Sequence, residues 1–382
     1  MSNIHQFLIK FLFSLLIVGI GSSCSDDDEV DGTSPDDNSE VNIIPERFSV
    51  EIPPSFTRGT APNGRSTNNE TATDDDLSGN SIYEAMGYFI KLGEESAEIV
   101  EEIIGGIRFL NITGITAVTY ESDDDGRTKN LEVLEGGSYD GVAYEFQLIV
   151  TDAESESNDD GGRAMQIFWN TDPIGGVAIL KPYNIDREEF PEAIETLYRI
   201  EYQEEGSLGY EAHMIVTITD LPLADEEVDP FSVDNLKMFA GKTGNTVDLY
   251  GNSNHPNATF FTDEKGFNWA FVASGDDVED LGVAEVGLPP STLNSTDRAT
   301  ILETYALKQV FSDQLLEVFP LFTQELLDTL LVNTEAPGYF SNEGFVSAGD
   351  SPGSEWDSFA DRIEELTPFN PSEVSTLTLD FQ

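Results

Sequence analysis

Between residues 121 and 132 the chain reads Glu-Ser-Asp-Asp-Asp-Gly-Arg-Thr-Lys-Asn-Leu-Glu. Glu121, Asp123 and Asp125 place carboxylates on alternate residues, and Gly126 allows a sharp turn just behind them. Glu132 ends the run with a carboxylate able to bind through both oxygens. Hard oxygen ligands gathered on a glycine turn are the chemistry of a Ca2+ site. Other constellations are thinner. The chain has three histidines, His5, His213 and His255. His213 falls in the strand-like run Glu211–Ile215, where a histidine satisfied within the core is expected, and His255 falls in the polar run Asn252–Asn257, read as a solvated turn. Two separated histidines with no cysteine beside them do not make a zinc site. No glycine-rich phosphate loop is present. With 73 acidic residues, carboxylate pairs of the kind used in glycoside hydrolysis are inevitable and diagnose nothing. Trp169, Trp269 and Trp356, with Tyr139, Tyr183, Tyr250 and Tyr339, could stack on sugar faces if exposed. Trp169 and Trp269 lie in apolar runs and are expected in the core.

The run from Glu121 to Glu132 resembles an EF-hand calcium loop, with Glu121, Asp123, Asp125, Gly126 and Glu132 at its first, third, fifth, sixth and twelfth places. The resemblance implies that Glu121, Asp123, Asp125 and Glu132 hold the ion. Two residues depart from the pattern: Glu121 is a methylene longer than the usual aspartate, and Thr128 stands where an apolar residue is usual. The flanks, Val118–Tyr120 and Leu131–Leu134, read as strands rather than helices. The alternative is a β-hairpin with an acidic tip and Asp125-Gly126 in its turn. A second acidic run, Asp74–Gly79, lacks a closing acid, since Ala85 stands at the twelfth place. It reads as a loop entering a helix.

The N-terminus carries an address. Lys10 sits inside the apolar run Phe7–Ile20, followed by Gly21-Ser22-Ser23-Cys24 and then Ser25-Asp26-Asp27-Asp28-Glu29. So short an apolar stretch ending in small residues is a secretory signal rather than a membrane span. The single cysteine of the chain stands where the small residues stop. The segment resembles a lipoprotein signal, and the acidic run behind Cys24 is similar to the surface-export signal of Bacteroidota lipoproteins. That resemblance implies cleavage before Cys24 and its acylation, with palmitate-type chains. It also implies an outer-membrane protein, lipid-anchored and facing outward, that touches the membrane through its anchor alone. Gly21 departs from the pattern, which usually has a larger apolar residue there. A lone cysteine in a secreted chain, where even counts make disulfides, is explained by lipidation.

Charge narrows the partners. The 382 residues carry 18 Lys and Arg against 73 Asp and Glu, a formal net charge of −55. Such a chain repels nucleic acid, because phosphate binding needs Lys and Arg to displace counterions. No nucleic-acid partner and no required cofactor are expected; Ca2+ is the cation the composition favours. Hydrophobic residues make up 39%, enough for a sizeable core.

The elements that must position these residues follow in order. Residues 1–23 are the signal. Residues 24–44 form an acidic tether without a basic residue, expected to extend by self-repulsion. Residues 45–80 are read as an edge strand over 45–56 and a polar loop. Ser81-Ile82-Tyr83-Glu84 is a capping box. The periodic apolar positions Ile82, Met86, Phe89, Gly93, Ala97, Val100 and Ile104 predict a helix ending at Gly105-Gly106, with a solvated glutamate stripe opposite. From Ile107 to Leu288 alternating runs separated by Asp, Gly and Asn clusters predict an antiparallel meander, with a short helix over Glu188–Thr196. Beyond Pro289-Pro290 come helices Thr300–Val310 and Ser312–Val332, the second kinked at Pro320 and apolar on nearly all sides, hence expected to be buried. A short helix from Ser354 and a closing strand at Thr376–Asp380 complete the chain.

The expected fold is α+β: an extended, curled antiparallel meander over residues 81–290 packed on an amphipathic helix, with a helical C-terminal region over 291–382 on the same domain. Three functions fit. A non-catalytic binding or adhesion module for a glycan, protein or nutrient requires an exposed aromatic or apolar patch. A carrier of a hydrophobic ligand requires a cavity between sheet and helix. A carboxylate-based hydrolase requires two facing acids in a cleft. The first asks least of the sequence, and a non-enzyme is favoured. The ligand and the oligomeric state are not legible.

Overall fold

A computed structural model describes residues 43–58, 79–109, 115–122, 125–206, 208–225 and 229–382. Cys24, the tether up to residue 42, Asp74–Ser78 and Asp123 lie outside them. The described chain falls into two compact units. The smaller comprises residues 43–48, 98–194 and 381–382; the larger comprises 49–58, 79–97 and 195–380.

In the smaller unit the strands are β1 Thr116–Glu121, β2 Thr128–Tyr139, β3 Val142–Asp152, β4 Arg163–Thr171 and β5 Ile174–Leu180. The larger holds β6 Leu197–Glu204, β7 Ala212–Thr219, β8 Asn235–Thr243, β9 Thr246–His255, β10 Phe267–Asp276, β11 Leu281–Gly287, β12 Gly338–Ser341 and β13 Gly344–Ala348. Within each unit every strand pairs antiparallel with the next in the chain. Among the described residues nothing pairs β6 with β13 or β1 with β5. The fold is therefore the expected meander, with thirteen strands in sequence order and no closure into a barrel. Tight turns set the register. Tyr139 pairs with Val142, so the loop is Asp140-Gly141, both at positive φ (48° and 77°), the backbone that matches strand twist in a two-residue hairpin.

Helix α1, Gly79–Phe109, begins before the capping box and runs past Gly105-Gly106. Its start is fixed from outside: the Gly79 N–H donates to the Val332 carbonyl at 2.9 Å. The glutamate stripe is not a solvated face. Glu84, Glu94, Glu95, Glu101 and Glu102 are half-buried, and only Glu98 is exposed. In the larger unit Phe89 meets Trp269 edge-on at 5.8 Å, and Gly93 lies against Met238 of β8.

The larger unit has three layers rather than two. Strand β10 is buried at every position but the last. Trp269 faces α1. On the other face Ala270 and Val272 join Ile301, Trp356 and Ile363 in one core cluster. Strand neighbours point to opposite faces, so a strand covered on both sides loses its polar alternation. The covering layer includes α5, Asp357–Ile363, and α6, Pro371–Val374. The segment around α6 is held by buried polar groups. Asn254 donates to Asn268, Ser291 and Ser375 at 3.1, 2.8 and 3.0 Å, and Asn268 donates to the Pro371 carbonyl at 3.2 Å.

Several expectations are corrected. Residues 45–56 form no strand. Phe48, Val50 and Ile52 alternate inward, yet the Val50 N–H donates to Met214 Sδ and the Ile52 N–H to Glu94 Oε1. Pro53 and Pro54 supply no donor for a ladder, and Pro54–Phe56 forms a 3-10 turn. Thr376–Asp380 is not a strand; the last residue of the chain is held by side chains, the Gln382 N–H donating to Gln166 Oε1 at 2.9 Å. Glu188–Thr196 is a series of turns, while a four-residue helix α2 stands at Pro182–Ile185.

Candidate functional site

The acidic run of β1 and β2 folds as the hairpin alternative. The Ser122 N–H donates to the Arg127 carbonyl at 2.8 Å and the Gly126 N–H to the Ser122 carbonyl at 2.9 Å. Gly126 takes φ +65°, open to glycine at no steric cost. Asp125 turns inward. Its carboxylate accepts from Lys129 Nζ at 3.1 Å and from the Arg127 and Arg187 backbone N–H groups at 3.1 and 3.4 Å. Glu121 pairs with Thr128 in the ladder and is exposed, as is Glu132. Glu132 lies four residues along β2 from Thr128, about 13 Å at strand rise. The structure brings Asp125 to Lys129 and keeps Glu121 and Glu132 apart. Among the described residues, no group of three or more His, Cys, Asp or Glu side chains could hold a metal ion.

Around Asp125 lies a dense charge cluster. Asp152, wholly out of solvent, accepts from Arg127 Nε at 2.6 Å and Nη2 at 3.0 Å. Lys129 Nζ stands 3.6 Å and Arg187 Nη2 3.5 Å from the same carboxylate. Burial pushes the Asp152 carboxyl up, but the Arg127 hydrogen bond and the charges of Lys129, Arg127 and Arg187 outweigh it, and the group sits below the usual carboxylate range. Asp160 is also held low: burial opposes, while Lys181 at 2.7 Å, the Gly162 N–H and Asn184 prevail. Lys129 also donates to the Asn184 carbonyl at 2.8 Å, tying α2 to β2. The cations here meet internal carboxylates, so the cluster is a brace between β2, β3, β4 and α2.

The histidines offer no open chemistry. His255 is not in a solvated turn; it is the last residue of β9, fully buried, with its Nε2 2.8 Å from Ser253 Oγ and its Nδ1 2.8 Å from the Phe231 carbonyl. Burial pushes it down to about 4, against the pull of the Phe231 carbonyl. Phe89 and Trp269 pack on its ring at 4.9 and 4.5 Å, leaving a substrate no approach to this Ser–His pair. His213 is in β7 as expected, stacked on Phe239 at 5.7 Å, but its Nδ1 has no hydrogen-bond partner. Trp169 and Trp269 are core, and so is Trp356, which donates to the Phe340 carbonyl at 2.9 Å. Glu285 is pushed up by burial and by the charges of Glu303 and Glu364, against Arg298, which binds its carboxylate. An apolar void of about 10 Å³ beneath Tyr120, Lys129 and Met165 is no larger than a water site.

A feature with no internal role among the described residues lies in the larger unit. Helices α3, Leu307–Val318, and α4, Gln324–Leu330, form a hairpin. The sequence predicts two helices, Thr300–Val310 and a buried, kinked Ser312–Val332, but α3 runs unbroken through Phe311. Pro320 ends α3 instead, and Thr323 starts α4 by accepting the Leu326 N–H on its side chain at 3.3 Å. One side of the hairpin is anchored: Phe311 packs on Phe260 and Phe261 at 5.0 and 5.2 Å, and Leu315, Leu327 and Leu331 are buried. The other side is bare. Among the described residues, six of the fourteen exposed large apolar ones fall in this stretch, Leu316, Val318, Phe319, Leu321, Leu326 and Val332, with Leu321 94% exposed. Scattered apolar residues on a surface are ordinary; a clustered run marks an interaction surface. The signal in the sequence was Pro320 followed at three residues by a capping threonine, a helix stop and start.

No protein family, curated protein or solved structure matches this chain. Among the described residues no helix is long and apolar enough to cross a membrane.

Proposed function

We propose that the chain is an outward-facing outer-membrane lipoprotein, acylated at Cys24, that serves as a non-catalytic binding or adhesion module. The observation that carries the binding role is the bare apolar hairpin around Leu321 on a chain of net charge −55. Keeping such a cluster in water is unfavourable by about 25 cal/mol per Å² relative to covering it, and among the described residues nothing covers the hairpin. The acidic remainder supports solubility at a crowded surface. The anchor rests on the Cys24 signal and its acidic run.

The test is equilibrium binding of the mature chain, with Cys24→Ala to omit the lipid, to arrays of glycans and extracellular proteins. Retained ligands should weaken at least tenfold in the Phe319→Ser/Leu321→Ser variant. Ligands indifferent to that change would remove the hairpin from the binding role. Turnover of a bound glycan would replace the binding module with an enzyme. For the anchor, Cys24→Ala should release the protein from membranes with its fold intact; a variant that stays membrane-bound contradicts the lipoprotein reading.

A further inference from the structure

We infer that the α3–α4 hairpin docks into an apolar groove on a protein partner whose rim carries Lys and Arg. This rests on the binding role proposed above and names its partner class. Shape comes first. Val318, Phe319, Pro320, Leu321 and Phe322 are consecutive at the tip, and Leu321 stands almost free of the protein. A projecting knob of aliphatic side chains fits a concave apolar site. Sugars stack instead on open aromatic faces, and here Phe319 and Phe322 cover one another, stacked at 4.9 Å and 10°.

Charge selects among apolar partners. The tip is flanked by exposed Asp313, Glu317, Glu325 and Asp328. The one base between residues 307 and 335 is Lys308, and it is held by Asp328 at 2.9 Å and Glu335 at 2.8 Å. The rim is therefore net negative and complements a positive one. A second copy would bring the same acids to the same place, and an anionic lipid surface would repel them.

The hairpin is also ordered before it binds. The Phe319 N–H donates to the Leu315 carbonyl at 2.7 Å and the Phe322 N–H to the Phe319 carbonyl at 3.0 Å. The Thr323 cap and the Lys308 bridge fix α4 against α3. Little side-chain and loop entropy remains to be lost on docking.

The probe is a synthetic amphipathic helix with a leucine face flanked by lysines, and its control replaces every leucine by serine. Both are titrated onto the mature Cys24→Ala chain at low and high salt. The leucine peptide should bind, and Phe319→Ser/Leu321→Ser should weaken it at least tenfold. Glu317→Gln/Glu325→Gln should weaken it several-fold and flatten its salt dependence. The serine peptide should respond to neither change at the tip. These residues are exposed, so melting temperatures should hold and a folding failure would be visible. Equal binding of the leucine peptide by parent and serine variant would overturn the inference, as attraction to a chain of this charge would then suffice. Two other outcomes would also overturn it: tip-dependent binding to phosphatidylcholine vesicles without peptide binding, or tip-dependent dimerisation. A glycan ligand that depends on the tip would leave the binding role standing and refute the protein groove; indifference of every ligand to the tip would refute both.

Discussion

Lys129 Nζ lies 3.1 Å from Asp125 Oδ2, four residues earlier in the chain, with the two side chains 3% and 1% exposed. A lysine so deeply buried is stable as a cation only because carboxylates and the Asn184 carbonyl face it. Removing one partner of a buried pair leaves the other charge uncompensated, at about 3–5 kcal/mol. Lys129→Met should lower urea stability by that order. Lys129→Met/Asp125→Asn should recover part of the loss, because a neutral amide replaces the stranded charge. A double-variant loss equal to the sum of the Lys129→Met and Asp125→Asn losses would mean that the pair is not coupled.

The same pair bears on calcium. Asp125 spends its carboxylate on Lys129 and backbone donors, and Glu121 and Glu132 stand apart on the ladder. The melting temperature at matched ionic strength should therefore be equal in Ca2+ and Mg2+. Matching matters because screening alone stabilises so acidic a chain. A rise specific to Ca2+ and lost in Glu132→Gln would show a bound ion stabilising the native state by mass action.

His255 sets a pH dependence. It titrates near 6.5 when unfolded and is pushed down to about 4 by burial. Between those values the unfolded chain binds the extra proton, so stability is full above pH 6.5 and falls as pH drops towards 4. The loss approaches about 3 kcal/mol for this one fully buried group. Asp152 and Asp160, held below the usual carboxylate range, give up their contributions lower still, as pH falls through their depressed values. Denaturant melts of His255→Gln should lack the higher step and keep the lower one. A parent chain whose stability is flat from pH 7 to 4.5 would contradict the burial of a neutral imidazole.

Two glycines of α1 should differ sharply in their response to alanine. At Gly79 a Cβ would overlap the Asn333 carbonyl oxygen, which is backbone. At Gly93 it would meet Met238 Cε at 2.5 Å, the far end of a flexible side chain. Gly79→Ala should cost about 1–3 kcal/mol as overpacking, and Gly93→Ala should cost little, helped by alanine's helix propensity. Thermal melts of the two variants decide it, and equal effects would place the helix start wrongly.

Alternation made most strands legible, but the Asp140-Gly141 turn was not read from the sequence. The errors have physical causes. Gly136-Gly137 reads as a turn yet lies inside β2, where Gly137 leaves room for the Phe168 ring, 2.9 Å from where a Cβ would stand. Asn252, Ser253 and Asn254 read as a polar loop but belong to β9, buried because the C-terminal segment supplies partners such as the Phe369 carbonyl. Strands β12 and β13 are only four and five residues long, too short to show a period. The hairpin tip was missed because an apolar helix is expected inside, and periodicity cannot say which apolar face a fold leaves bare.

The most direct test is photocrosslinking on intact cells. A photoreactive phenylalanine analogue is placed at Leu321 in the anchored protein, and in a second variant at Val278, an exposed apolar residue outside the hairpin. A binding surface on the hairpin requires a discrete adduct from Leu321 and none from Val278. No adduct at Leu321, or the same adducts from both positions, would contradict it.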